Sequence, residues 1–390
     1  WDIKTMDLRK FYGALIVFYF SDMALLIMVI WLSYKITKNP LILGLILFVS
    51  TIIPFVLKKF SKINLLSLSV HHLMLSRILF YSIVFVLSAL NPSIYSFIGL
   101  ALISGLLGVS ILSNYETYNN YLVVNNIVSA NKASRYMQTV IQIGAFGGAM
   151  IGGMLLNHLS FFYSMASIVL VDIVFAIIFM MWAKNGYFAK IKIKENNNKQ
   201  TVNQLYFLDK KQIYLLWIIL GFVGIHITSF NLTTPIIFQE IKQWTAQDFG
   251  LSSAFAGVGA FCVAFIKSNT KYCLVMAICL IFADLIFVMS NIKMLSLAIC
   301  FLIGFFINSI RILIREKLSL MAKDTEQAAF IGQSSAVFYV AFQAGASLLF
   351  GYILSIIQNV YATQIFLPLV ACIIAIFYIN MLFTGKIFTN

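Results

Sequence analysis

Residues Phe11–Tyr34 read FYGALIVFYFSDMALLIMVIWLSY, an apolar run of helical length with one acid, Asp22, near its centre. Arg9 and Lys10 flank it on one side and Lys35 and Lys38 on the other. About 20 residues rising about 1.5 Å each cross a hydrocarbon layer of about 30 Å. The stretch therefore predicts a membrane-spanning helix with Asp22 at mid-depth. A charged acid there costs about 2.5–3.5 kcal/mol on insertion scales, so Asp22 must face protein or water, or carry a proton.

Outward from that helix the whole chain has the same character. Its 390 residues are 61% hydrophobic and 10% charged, with a mean hydropathy of +0.95. A soluble domain carries about 25% charged residues, so the composition describes a polytopic membrane protein whose solvent is the lipid bilayer. The net charge of +14 would suggest a nucleic-acid partner in a soluble chain. Here its distribution around the apolar segments matters more, and no nucleic-acid partner is expected. The basic start runs straight into a full-length span, which is not the pattern of a cleaved signal. The first residue is Trp1, so a native start upstream is expected.

Apolar segments recur at about 10–34, 41–57, 63–90, 94–124, 133–157, 160–183, 211–239, 246–266, 272–291, 294–315, 327–355 and 359–384. Twelve helices are predicted, and the one long hydrophilic connection, 185–210, divides them into an N-terminal six-helix bundle (1–184) and a C-terminal one (211–390). With the N-terminus placed in the cytoplasm, only Lys35, Lys38, Lys242 and Lys293 of the 27 basic residues fall outside, and Arg77 lies within a helix. That asymmetry is the positive-inside pattern. It puts both termini and the 185–210 linker in the cytoplasm.

The halves echo each other. Gly147 and Gly153 in the fifth segment recur 198 residues later as Gly345 and Gly351 in the eleventh. A parallel six-helix repeat points to a two-domain transporter with its site at the domain interface.

Several local motifs then carry a family resemblance. Ser21–Asp22 in helix one, Ala130–Asn131 followed by Gly144, Gly147, Gly148, Gly152 and Gly153 in helix five, and Val171–Asp172–Ile173–Val174–Phe175 in helix six occur in the family's order. So do Pro235, Gly250, Gly257 and Gly259 in helices seven and eight. The chain resembles the major facilitator superfamily, in particular its drug- and siderophore-exporter branch related to macrolide efflux pumps and the enterobactin exporter. The resemblance implies an all-α membrane protein of twelve transmembrane helices in two pseudo-symmetric six-helix bundles. Its function would be to export an amphiphilic small molecule (an antibiotic, a siderophore or a small peptide antibiotic) across the bacterial inner membrane. It implies proton antiport with alternating access, and an efflux role in antibiotic resistance. One departure stands out. Where that family has Gly-x-x-x-Asp-Arg-x-x-Arg-Arg after helix two, this chain keeps only the basic Lys58, Lys59 and Lys62, so the lock which that loop forms in the family is not expected here.

Asp22 is the first candidate for proton coupling and for the substrate cavity; the bland alternative is a structural acid hydrogen-bonded to its neighbours. The fourth segment offers Asn114, Glu116, Tyr118 and Asn119, with Glu116 a second titratable group or simply a polar helix end. In the seventh, His226, Thr228, Ser229 and Asn231 precede Pro235, the composition of a helix that lines water or bends. His226 taken alone is more often a satisfied core histidine.

Arg77 and Asp172 fall at matching depths and predict an internal ion pair. Asp284 is also at mid-segment, with no visible partner. Gly144, Gly148 and Gly152 line one helix face at four-residue spacing, a packing surface that lets helices approach closely. The five cysteines lack metal or redox spacing and read as small core residues. No phosphate-binding loop, metal cluster or catalytic constellation is evident, so no enzyme activity, metal or cofactor is expected. Protons and a small molecule are the expected partners of a monomer. Import by the same fold is the first alternative, and a membrane-embedded enzyme or scaffold the remote one.

Overall fold

The computed structural model describes residues 3–60, 70–90, 92–108, 128, 130–184, 210–265, 270–321 and 325–383. Among them run twelve α-helices: α1 Ile3–Thr37, α2 Pro40–Phe60, α3 Val70–Ala89, α4 Ile94–Gly108, α5 Ala130–His158, α6 Phe161–Lys184, α7 Lys210–Ile236, α8 Ala246–Cys262, α9 Thr270–Met289, α10 Lys293–Leu320, α11 Thr325–Ile357 and α12 Thr363–Phe383. Eight of them are long and apolar enough to cross a bilayer, and stretches of α2, α4 and α9 are shorter apolar helices.

Local chemistry sets the breaks between these helices. Lys38 takes a left-handed φ of 48° after α1. Asn39 then caps α2, its Oδ1 accepting from Leu41 N at 2.9 Å, and Pro40 fills the first helical position, where a missing N–H costs nothing. At the start of α8, Thr245 N donates to Asp248 Oδ2 at 2.9 Å and Asp248 N to Thr245 Oγ1 at 3.3 Å, a reciprocal capping box. Pro235 does not stop α7. The helix runs through it to Ile236 and then widens into a π turn, Ile237–Ile241, the kind of irregularity that relieves a lost i−4 hydrogen bond.

The chain forms two compact units. Unit 1 comprises residues 1–37, 53–195 and 245–254; unit 2 comprises 38–52, 196–244 and 255–390.

In unit 1, α5 runs along α1 and α3 along α6. A Cβ on Gly144 would stand 2.7 Å from Ile16 O, one on Gly152 2.9 Å from Ala24 O, and one on Gly148 would run into Phe20 O. The predicted glycine face thus packs on α1. Gly153, one position on, faces Gly250 of α8 instead.

In unit 2, α7 packs on α11 and α12, and α9 on α10 and α12. Trp217 of α7 stacks on Phe338 of α11 at 5.2 Å. Gly351 of α11 meets Gly44 of α2, whose own Cβ would collide with Ser347 O.

Candidate functional site

Unit 1 buries a charged cluster built from three helices. Arg77 on α3 has a side chain 1% exposed. Its Nε and Nη2 both donate to Oδ2 of Asp172 on α6, at 3.0 and 2.5 Å. Nη2 and Nη1 also reach Asp22 on α1, at 2.9 Å to Oδ1 and 3.2 Å to Oδ2. The backbone oxygen of Phe18 takes a further bond from Nη2 at 2.9 Å, and the guanidinium carbon sits 4.4 Å from the Phe18 ring centroid. Tyr81, one turn along α3, donates its hydroxyl to Asp22 Oδ1 at 2.8 Å.

Two carboxylates therefore share one guanidinium, and the cluster holds one acid more than its base can neutralise. The acids are not equivalent. Asp172 is fully enclosed, whereas the Asp22 side chain keeps 12% of its surface open.

Unit 2 carries a counterpart with the polarity exchanged. His226 Nε2 lies 2.8 Å from Oδ2 of Asp284 on α9, both side chains at 1% exposure or less. Asp22 lies fifteen residues before the end of α1 at Thr37, and His226 fifteen before the end of the π turn at Ile241. In unit 1 the acid is on the first helix of the pair and the base on the third. In unit 2 the base is on α7 and the acid on α9.

A third charge closes the far end of α7. Lys242 donates to Phe287 O at 2.6 Å and Ser296 Oγ at 3.3 Å. It also stands over Phe238, Trp244 and Phe287 at 5.5, 4.6 and 4.7 Å from the ring centroids. Burial pulls this ammonium down to about 8 from its ordinary 10.5.

No protein-family model matches the sequence, and no curated protein matches it. Solved structures do match the fold. The nucleoside transporter NupG aligns over 96% of this chain and 98% of its own, with 13% identity and a TM-score of 0.67. A bacterial homologue of the human lysosomal transporter Spinster, inward-facing and unoccupied, aligns over 97% and 98% with 11% identity and a TM-score of 0.64. The human organic anion transporter MFSD10 aligns over 97% and 100% with 10% identity and a TM-score of 0.62. This chain has the major facilitator fold. At such identities the likeness fixes the architecture and leaves chemistry to the chain's own residues.

Within this major facilitator fold the expected site residues fall in three groups. Asp22, Arg77 and Asp172 are brought together in one cluster, so the ion pair expected between Arg77 and Asp172 takes in Asp22 as well. His226, Thr228 and Ser229 are packed inside unit 2, and Asn231 is half-buried. Ser229 Oγ donates to Ile225 O at 2.8 Å and Thr233 Oγ1 to Ser229 O at 2.7 Å. These hydroxyls satisfy carbonyls of their own helix. Asn114, Glu116, Tyr118 and Asn119 lie outside the described residues.

Sequence reasoning missed the partner of Asp284 and the share that Asp22 takes of Arg77. Counted back from the ends of their helices, His226 and Asp22 stand at the same height, although the 198-residue offset of the glycines does not pair them. Among the described residues no group of histidine, cysteine and acidic side chains could hold a metal ion.

Proposed function

We propose that this protein is a secondary transporter of the bacterial cytoplasmic membrane that exports an amphiphilic small molecule by alternating access, exchanging it for protons carried at Asp22. The observation that carries this reading is the unequal cluster of unit 1: two acids on one guanidinium, with the excess acid at the partly open position. A buried cluster with one uncompensated negative charge is costly in a low-dielectric interior. One proton on Asp22 cancels that charge while Arg77 and Asp172 stay paired. Loading and unloading that proton alters the charge of the membrane-embedded site by one unit. A proton-coupled carrier needs such a change if the two states of its cycle are to differ in energy.

The exporting direction and the substrate class rest on the resemblance to macrolide and siderophore exporters. A nucleoside transporter and an organic anion transporter share the fold, so the fold favours no single cargo. The test is accumulation of labelled macrolides, catecholate and carboxylate siderophores and small peptide antibiotics in cells with and without the protein. Lowered accumulation that a protonophore restores is the expected result, and Asp22→Asn abolishes the difference while the protein still inserts. Raised accumulation would make the protein an importer. Unimpaired proton-driven flux in the Asp22→Asn variant would remove Asp22 from the coupling.

A further inference from the structure

The deep charges Asp22, Arg77, Asp172 and Asp284 are all matched by opposite charges or by histidine. Arg311 is not. It lies on α10 within the span Lys293–Leu318, seven residues before its inner end, which at about 1.5 Å per residue is about 10 Å along the helix. No carboxylate of the described residues lies within ion-pair distance of it, and its Nε is enclosed by protein with no acceptor.

What it does have is a ring: its guanidinium carbon sits 5.0 Å from the Tyr339 centroid on α11. Tyr339 is held in turn from α7. Gly224 leaves the room for it, since a Cβ there would come within 3.0 Å of Tyr339 O and 3.2 Å of its ring. Gln343 donates to the Tyr339 hydroxyl at 3.4 Å. Beside it, the Phe338 ring is fixed by stacking on Trp217, whose indole N–H donates to Ser335 Oγ at 3.0 Å.

We propose that Arg311 and the Tyr339 ring form a subsite within unit 2 for an amphiphilic organic anion, with its oxyanion on the guanidinium and a flat apolar body on the aromatic side chains of α11. A membrane-embedded arginine without an acid is stable where a water-filled path solvates it or a ligand supplies the missing negative charge. Its planar fork of donors matches a carboxylate in two parallel hydrogen bonds. Nε is enclosed without an acceptor, whereas the half-buried side chain keeps its Nη nitrogens outside that enclosure, and these are the donors such a head group would meet. The subsite deepens the transport reading by naming the charge of the cargo, and it rests on that reading for its role.

The test is equilibrium dialysis of the purified full chain in neutral detergent against 1-naphthoate, 1-naphthamide, 1-naphthylmethylammonium and a short-chain phosphatidylglycerol. Naphthoate is expected to bind about tenfold or more tighter than the amide and the cation, the effect of one charge-assisted pair. Arg311→Gln should erase the preference, and Arg311→Lys should restore part of it, because lysine keeps the charge without the fork. The wild-type comparison alone decides the matter if Arg311→Gln does not fold. Equal binding of amide and naphthoate would overturn the subsite. So would an Arg311→Gln variant that unfolds like wild type and keeps the preference. Binding of the phosphatidylglycerol without saturable naphthoate binding would give Arg311 to the lipid. Naphthoate that binds through Arg311 but is never moved across a vesicle membrane would leave the subsite and remove the transport reading. Proton-driven flux of cations or neutral compounds untouched by Arg311→Gln would do the reverse.

Discussion

At the centre of unit 1, Arg77 serves Asp172 with two nitrogens and Asp22 with two, so the three side chains cannot be equally replaceable. Removing the base leaves two buried acids, removing Asp172 leaves the pair Arg77–Asp22, and removing the charge of Asp22 leaves a neutral pair. Stability should follow that order. Arg77→Gln is expected to lower stability most, by about 3–5 kcal/mol or to the point of lost expression, since it strands buried charge. Asp172→Asn should cost less, and Asp22→Asn should unfold at or above the wild-type temperature. Thermal unfolding of the three variants in detergent checks the series; Asp22→Asn as the least stable would contradict the charge count.

Asp22 as a mid-depth acid and Arg77 with Asp172 at matching depth were both legible in the sequence, because residue number along a helix gives height. That the two form one cluster was not, because height says nothing of which way around the helix a side chain points. Asp284 shows the same limit. Its height in the ninth segment named no partner, and the partner stands on α7.

A second residue-scale prediction concerns Lys242, just past the end of the α7 span. Its folded form releases its proton near pH 8, while the unfolded chain holds one to about 10.5. Between those values the unfolded state binds more protons, so stability rises with pH across that window and is flat below it. Unfolding temperatures measured from pH 7 to 10.5 should show the rise in the wild type and not in Lys242→Met. An equal rise in both would place the titration elsewhere.

Among the elements, close helix approach is concentrated at particular glycines. The four-residue spacing of Gly144, Gly148 and Gly152 was visible as a face, but its target was not. The face meets the backbone of α1 within unit 1, whereas Gly153 is the residue that meets α8. A glycine stripe specifies that a helix can come close; the complementary surface specifies which one.

The adjacent pair Gly147 and Gly148 separates the two cases. A Cβ on Gly147 would sit 3.4 Å from the Phe20 ring, an ordinary contact, while one on Gly148 would run into Phe20 O. Gly147→Ala should therefore leave stability unchanged or slightly raised, since alanine is the better helix former. Gly148→Ala should lower it by about 1–3 kcal/mol as α1 and α5 are pushed apart. Equal unfolding temperatures for the two variants would show that α1 can yield at no cost.

Over the whole molecule, the sequence pattern expects four lysines outside, and unit 2 shows what three of them are doing. Lys38 pairs with Glu240 at 2.5 Å, Lys242 is buried among three rings, and Lys293 lies 5.9 Å from the Trp244 centroid. Three of the four lysines expected outside are thus engaged by a neighbouring carboxylate or by aromatic rings. Arg9, Lys10 and Lys132, which the sequence pattern expects on the cytoplasmic side, are exposed. The positive-inside rule counts lysines and arginines near the ends of the spans and is not a net-charge rule, so the sequence pattern predicts one orientation whatever those lysines are paired with.

A cysteine at exposed Asn291, in the short connection from α9 to α10, should react with a membrane-impermeant maleimide added to intact cells. One at exposed Lys132, near the start of α5, should react only after the cells are opened. Labelling in the reverse order would invert the chain. Export would survive that inversion, because in an exchange for protons the proton gradient, and not the orientation of the chain, drives the cargo outward; what would change is which end of each unit opens to the cytoplasm.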